Sequence, residues 1–490
     1  MPLNDLLGDH DVIARIGDDD VVITGVLADS RKVSSGSLFV AVAGNVVDGH
    51  DFIDEAWRRG AAAVVVDRRD VFEHRKKNVP AGRVLCLVPD SRRSLARLAA
   101  GWHGFPARSL VMVGITGTNG KTTIAYLLEH LLTRAGHRVG VVSTVNYRFA
   151  GLEESAAHTT PGADELQALL RRMVDAGTTC CVMEVSSHAL DQQRAAEIPF
   201  SVVIFTNLSH EHLDYHREME SYFQAKKQLF TGCDGKVFKV INGDDAWGRR
   251  LLGEVEGPKL SYGLEPEVEF RALEPEFSSR GTTFTIEAAG ERWRCHSPLI
   301  GRFNVLNVLA ALAAARQLGG MMDLLLEVLE SFPQVPGRLQ RVPNQRNLHI
   351  LVDYAHTPDA LEKVLSSLRE CVGEGRLLTL FGCGGDRDRR KRPEMGRIAQ
   401  RYSDLVVVTS DNPRHEDPEQ IIADILDGMT LSGDVLVEKD RRRAIAALIA
   451  VGRPGDLLLI AGKGHESYQQ VGDQRLPFDD VQVVKEVLAA

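Results

Sequence analysis

Gly114-Ile115-Thr116-Gly117-Thr118-Asn119-Gly120-Lys121-Thr122-Thr123 is the stretch on which the fold of this chain turns. The apolar run Leu110 to Val113 leads into it, and apolar residues at helical spacing follow from Thr122 to Ala135. Strand, glycine-rich turn, Lys-Thr and helix is the layout that cradles a nucleoside triphosphate. Backbone N–H groups at a helix N-terminus face the phosphates, the lysine neutralises them, and a threonine hydroxyl can bind Mg2+. The common spacing G-x-x-x-x-G-K-[ST] asks for glycine at 115, where this chain has isoleucine, with glycines at 114 and 117 instead. ATP use is the expectation.

The chain around this loop has 490 residues, enough for about two to four domains with cores of their own. Its net charge of −9 leaves no basic footprint for nucleic acid, so anionic substrates must be met by local Arg and Lys clusters. Seven cysteines without C-x-x-C spacing argue for reduced thiols rather than a disulfide frame or a zinc site. No run of eighteen apolar residues occurs, and the apolar helix from Val305 to Leu318 is too short to span a bilayer. The expectation is a cytoplasmic monomer that enters no membrane and binds no nucleic acid.

Three blocks emerge. Residues 1–107 mix short Val-rich strands with short helices. Residues 108–336 show the strand–loop–helix alternation of a mostly parallel α/β sheet, with strands at Val111–Ile115, Val139–Ser143, Thr179–Glu184, Val202–Thr206 and Lys239–Asn242. Thr283–Glu287 and Arg292–His296 flank a turn and predict an appended antiparallel hairpin. Pro333 to Gly337 reads as a linker. In residues 337–490, apolar strands Leu348–Val352, Leu377–Phe381, Leu405–Thr409 and Leu457–Ala461 each run into a polar loop. Ligands of open parallel sheets bind at such carboxyl ends.

Two polar clusters belong to the phosphate loop's edge: Glu184-Val185-Ser186-Ser187-His188, and His210-Glu211-His212-Leu213-Asp214-Tyr215-His216. A carboxylate and an imidazole there could hold Mg2+ between ATP and a second substrate. The His-x-His spacing also permits zinc.

Together with Asp353-Tyr354-Ala355-His356-Thr357-Pro358 and Asp411-Asn412-Pro413-Arg414, these motifs resemble the Mur ligase family of peptidoglycan synthesis, in order and over nearly the whole chain. The resemblance implies a uridine-nucleotide-binding α/β domain, a central P-loop-type domain and a C-terminal Rossmann-like α/β domain. It implies an ATP-dependent ligase that phosphorylates the D-glutamate carboxylate of a UDP-N-acetylmuramoyl dipeptide. The amine of meso-diaminopimelate would then attack the acyl phosphate.

By the same resemblance, Gly117, Thr118, Asn119, Gly120, Lys121, Thr122 and Thr123 hold ATP, with Asn304, Arg338 and Asp353 closing over it. Thr122 and Glu184 hold one Mg2+; Glu184, His212 and a carbamate on Lys226 serve a second. Lys121, Glu184, His212 and Lys226 form the catalytic set. Ser30, Asn45, Val46 and Val47 meet the uridine diphosphate, and Thr159, Thr160, Ser186, Gln192 and Arg194 meet the muramoyl peptide. Arg387, Asp411, Asn412, Pro413, Arg414, Gly462 and Glu466 receive diaminopimelate, Arg414 through its distal carboxylate. Several rivals stay open from the residues alone. The chain could be a P-loop kinase, a folylpolyglutamate synthase or a nucleotide-gated interaction protein. Asn304 could be a helix cap, and Lys226 and Lys227 could be solvated.

Overall fold

The computed structural model describes residues 1–8, 12–18, 21–44, 47–232 and 235–489. Each of the three blocks carries its own sheet. The first has spatial order Ala14–Gly17, Val84–Leu87, Ala63–Val66, Ser37–Val40, Gly25–Leu27, parallel except at Ala14–Gly17. Its three inner strands are buried at every position, as the unbroken apolar runs require when both faces are covered.

In the central sheet, six parallel strands lie in the order Val139–Val142, Cys180–Glu184, Val111–Thr116, Phe200–Phe205, Phe238–Asn242, Lys259–Gly263. The strand of the phosphate loop is therefore flanked by the two strands that end in the polar clusters. Helices Lys121–Arg134 and Arg302–Gln317 cover one face, and helices Ala163–Asp175 and Met219–Thr231 cover the other. The expected hairpin is present as Gly281–Ala288 and Glu291–Ser297, with Phe270–Ser278 as a third antiparallel strand. A second hairpin, Asn146–Phe149 with Leu152–Ser155, extends the opposite edge. Its outer strand is exposed throughout and carries no apolar alternation that sequence could reveal.

The third sheet runs Gln340–Val342, His349–Asp353, Leu457–Ala461, Leu377–Phe381, Leu405–Val408, Val435–Val437, and only Gln340–Val342 is antiparallel. The four expected strands are its centre, so their polar loops emerge along one edge. A small polar hairpin, Tyr468–Val471 with Gln474–Pro477, stands beside that edge and was not legible in the sequence. No described helix is long and apolar enough to cross a membrane. The described cysteines, Cys86, Cys180, Cys181, Cys295, Cys371 and Cys383, are all free and buried.

Candidate active site

Ile115 is the penultimate residue of its strand and fully buried, so the phosphate loop begins after it and has no need of glycine there. The left-handed or otherwise glycine-favouring conformations fall at Gly117, with φ 145°, and Gly120, with φ 91°. A Cβ on Gly117 would lie 1.8 Å from Thr206 Oγ1, and one on Gly120 would lie 2.4 Å from Asn307 Oδ1. The loop is pinned from the neighbouring strand end. Thr118 N donates to Asn207 O at 2.8 Å, Asn119 N donates to Asn207 Oδ1 at 3.0 Å, and Thr206 Oγ1 donates to Asn119 O at 2.6 Å.

Lys121 Nζ donates to the carbonyls of Gly117 and Thr118 at 2.9 and 2.8 Å. Desolvation holds its ammonium below the ordinary lysine range, opposed by Glu184 and Glu211. Lys226 Nζ donates to the same Gly117 O at 2.8 Å. Lys226 is 1% exposed, and burial, reinforced by Lys121, pushes its amine well below the usual value. Its neighbour Lys227 instead pairs with Glu254 at the surface. Only the second of the two lysines is thus a solvated helix residue.

Glu184 is fully buried at the end of its strand, where its carboxylate accepts from Thr144 N and Thr144 Oγ1, both at 3.0 Å. No Lys or Arg among the described residues forms an ion pair with it. A buried carboxylate without a paired cation is costly, and the buried Thr122 hydroxyl lies in the same cavity. His212, at φ 57°, stacks edge-on against His188 with ring centroids 5.0 Å apart and lines the cavity too. Among the described residues no three His, Cys, Asp or Glu side chains converge on a metal-sized site. One carboxylate, one hydroxyl and an imidazole suit Mg2+, which completes its shell with water and phosphate oxygens.

The cavity has a volume of about 500 Å3 and is shared between the second and third blocks. Gly120, Lys121 and Glu184 face Arg338, Asp353 and His356 across it. Asp353 is buried, which raises its carboxyl above the usual range against the pull of Arg338; its oxygens accept from Leu339 N at 2.7 Å and Ala355 N at 2.8 Å. Asn304 lines the cavity but does not cap its helix. Gly301 occupies that position at φ 96°, and Asn304 Nδ2 donates to Ile300 O at 2.8 Å from within the first turn. Phe303 and Asn307, from the same helix, also line the cavity and were not singled out in sequence.

Thr159 and Ser186 reach the cavity wall, and Thr160 Oγ1 joins Glu184 O at 2.9 Å to Ser186 N at 3.1 Å. Arg194 donates to Thr160 O at 2.8 Å and is oriented by Gln192 Oε1. Ser30 lies outside the cavity, donating to Glu55 at 3.1 Å, and Val47 is exposed. Asn45 and Val46 lie outside the described residues.

At the edge of the third sheet, Asn412 Nδ2 donates to Glu466 Oε2 at 2.8 Å, and Arg414 donates to Gly385 O at 2.7 Å. Pro413 O would lie 1.9 Å from a Cβ on Gly385, which explains how closely these loops approach. Gly462, at φ 114°, lies beside Asp411, whose Oδ2 would be 3.5 Å from an added Cβ. Arg387 is exposed and hydrogen-bonds to no described residue. Arg389 pairs with Glu416 at 2.9 Å, so the charge run from Arg387 to Arg392 is divided among several tasks.

Models of three Mur ligase domains match in succession: the Mur ligase family catalytic domain at residues 22–103, the middle domain at 115–315 and the glutamate ligase domain at 337–464. The chain belongs to the Mur ligase family. Among its relatives is the UDP-N-acetylmuramoyl-L-alanyl-D-glutamate--2,6-diaminopimelate ligase of Geobacter sulfurreducens, 46% identical and covering 98% of this chain and 97% of that protein. The ligase of the same name from Aquifex aeolicus is 42% identical over 95% of this chain and 94% of its own length. A solved structure of a ligase of that name superposes with a TM-score of 0.70 at 34% identity, covering 95% of each chain. A MurF ligase from Thermotoga maritima, in complex with ADP, shares the Mur ligase fold at a TM-score of 0.63 and 22% identity, over 96% of this chain and 98% of its own.

Proposed function

We propose that this Mur ligase joins meso-diaminopimelate to the D-glutamyl carboxylate of UDP-N-acetylmuramoyl-L-Ala-D-Glu, consuming ATP through an acyl phosphate. The observation that carries it is the cavity in which Lys121 and Glu184 of one block face Arg338 and Asp353 of another, with the Asp411–Arg414 loop on the same sheet edge as Asp353. The near full-length likeness to relatives of that name agrees.

A carboxylate does not condense with an amine until its oxygen becomes a leaving group. In the first step a D-glutamyl oxygen attacks the γ-phosphorus and the bond to the β-phosphate oxygen breaks, releasing ADP. The neutral amine nitrogen then attacks the acyl carbon, and the tetrahedral intermediate loses a proton from nitrogen to solvent and expels inorganic phosphate. Two anions must meet in the first step, so positioning and cation stabilisation are what the protein supplies. The loop N–H groups and Lys121 bind the phosphates, while Arg338 and Asp353 close on the nucleotide from the third block. Thr122 and Glu184 would hold one Mg2+, and Glu184, His212 and Lys226 a second. The metal would supply charge neutralisation for the reacting anions.

Lys226 fits this set only as a carbamate. Its buried amine, held toward neutrality by burial and by Lys121, is the form that adds to carbon dioxide, releasing a proton and leaving an anionic oxygen ligand. An ammonium there would repel the metal. The uridine diphosphate is taken by the first block around Ser30 and residues 45–47, with block boundaries at 107 and 336. The location proposed is the cytoplasm, as a monomer.

The test is phosphate release with meso-diaminopimelate against L-lysine at equal concentration, with and without the UDP-linked dipeptide. Release that requires both dipeptide and diaminopimelate is expected. Release of ADP without any amine would instead mark a kinase.

A further inference from the structure

Lys463 has no role in the scheme above, yet it is fully buried at the centre of the amine-substrate loops. Its Nζ lies 3.0 Å from Asn412 Oδ1, 3.3 Å from Asp411 Oδ1 and 3.4 Å from Glu466 Oε2. An ammonium only donates, so it fixes which end of the Asn412 amide faces it. Gln470 N donates to the same Asn412 oxygen at 2.9 Å, and the amide nitrogen is left to donate to Glu466 at 2.8 Å.

The charges around it are specific. Among the described residues Lys463 is the cation that ion-pairs with Asp411 and with Glu466. The nearby Arg441 is paired with Asp480 in a fully buried contact at 2.7 Å and acts on Asp411 and Glu466 only through space. Lys391, which donates to His356 O at 2.8 Å, acts on Asp411 in the same way. Arg414 points its guanidinium at the Gly385 carbonyl. Without Lys463 the loops would present two carboxylates with no directly bound cation.

We propose that Lys463 is a specificity-determining residue that sets the charge of this pocket. By cancelling one of the two carboxylates, it matches the pocket to a distal centre carrying both an ammonium and a carboxylate. A substrate ending in a lone ammonium, such as lysine, then gains too little attraction to compete, and Arg414 is left without an anionic partner. This rests on the function proposed above. Lys463 acts through Asp411, Asn412 and Glu466, so it is a positioning residue.

The test compares kcat/KM for meso-diaminopimelate and L-lysine in the wild type, Lys463→Met and Glu466→Gln, with KM for ATP and thermal unfolding measured alongside. General damage to the fold lowers both rates and cancels in their ratio. Lys463→Met makes the pocket more negative and is expected to lower the diaminopimelate preference by about tenfold or more. Glu466→Gln makes it more positive and is expected to raise the preference. KM for ATP stays within about twofold in both. Shifts in the same direction, or an unmoved ratio, overturn the inference. Should Lys463→Met fail to fold, Lys463→Gln, which keeps a donor and removes the charge, decides in its place, and an unchanged or raised diaminopimelate preference refutes the idea. A wild type that uses neither amine refutes the proposed function itself and this inference with it.

Discussion

Asp359 accepts a hydrogen bond from Ser209 Oγ at 2.7 Å, joining the third block to the central one across 150 residues of sequence. The same carboxylate oxygen accepts from Asn119 Nδ2 of the phosphate loop at 3.1 Å and from Lys363 Nζ at 2.8 Å. Ser209 is tied in turn to Thr118, its N donating to Thr118 Oγ1 at 3.0 Å. One carboxylate at the start of helix Pro358–Cys371 thus registers the third block on the glycine-rich loop proposed to bind phosphate.

Asp359→Ala should therefore impair ATP use more than folding. Hydrogen bonds to a charged group are worth about 1.5–3 kcal/mol each, less here because the side chain is partly exposed. A rise in KM for ATP of about tenfold is expected, with a melting temperature lowered by only a few degrees. Scattering profiles with both substrates should be more extended than those of the wild type. An unchanged KM and identical profiles would count against the latch.

Gly117→Ala tests the geometry of the loop. Its φ of 145° and the 1.8 Å approach of Thr206 Oγ1 leave no room for a methyl group. Nucleotide binding by calorimetry should weaken by about a hundredfold or more, because the loop must move away from the phosphates. Ala at Gly136, where a Cβ meets nothing within 4 Å, should bind ATP normally despite its φ of 97°.

Lys226 and Lys227 are adjacent and should behave oppositely. Lys226→Ala is expected to abolish detectable turnover, and added bicarbonate should not restore it. Lys227→Ala removes a surface pair with Glu254 and should keep nearly full activity. The reverse pattern would remove Lys226 from the site.

The first block carries a pH-dependent ion cluster. His50 is buried and lies 2.6 Å from Asp48 and 3.2 Å from Asp67. Burial opposes its protonation, but the Asp67 and Asp48 carboxylates outweigh it and raise its pKa above the ordinary 6.5. Burial likewise acts against the Asp67 anion, yet His50 and Ser91 lower its pKa from 3.8 to about 2. The His50 contribution is complete below pH 6.5 and fades as pH rises through its folded value. The Asp67 contribution is complete above pH 3.8 and fades as pH falls toward 2. Thermal unfolding should therefore show the largest advantage of wild type over His50→Gln between these limits, shrinking on either side. A difference independent of pH would mean that packing alone is at stake.

Much of the molecule is legible because local patterns and final contacts agree. The run Val111–Thr116 followed by Gly-Lys-Thr-Thr predicts strand, loop and helix, and each appears where the period changes. The hairpin at Gly281–Ala288 is marked by its alternation and turn. Asn304 shows the limit of such rules, since an Asn before an apolar run suggests a cap, whereas Gly301 caps the helix and frees Asn304 to line the cavity. The outer strand Leu152–Ser155 has no buried side chain to imprint a pattern.

What sequence alone determined is the local pattern: a glycine-rich Lys-Thr loop between strand and helix, polar loops after apolar strands, and an ordered set of motifs resembling one family. Those features depend on backbone propensity and periodicity, which act over a few residues. What only the tertiary structure decided is which groups share an environment. Burial separates Lys226 from Lys227, encloses Glu184 with no ion-pairing Lys or Arg among the described residues, and sets Lys463 between Asp411 and Glu466. Desolvation and charge pairing depend on residues far apart in the chain, and those distances exist only once the three sheets are packed.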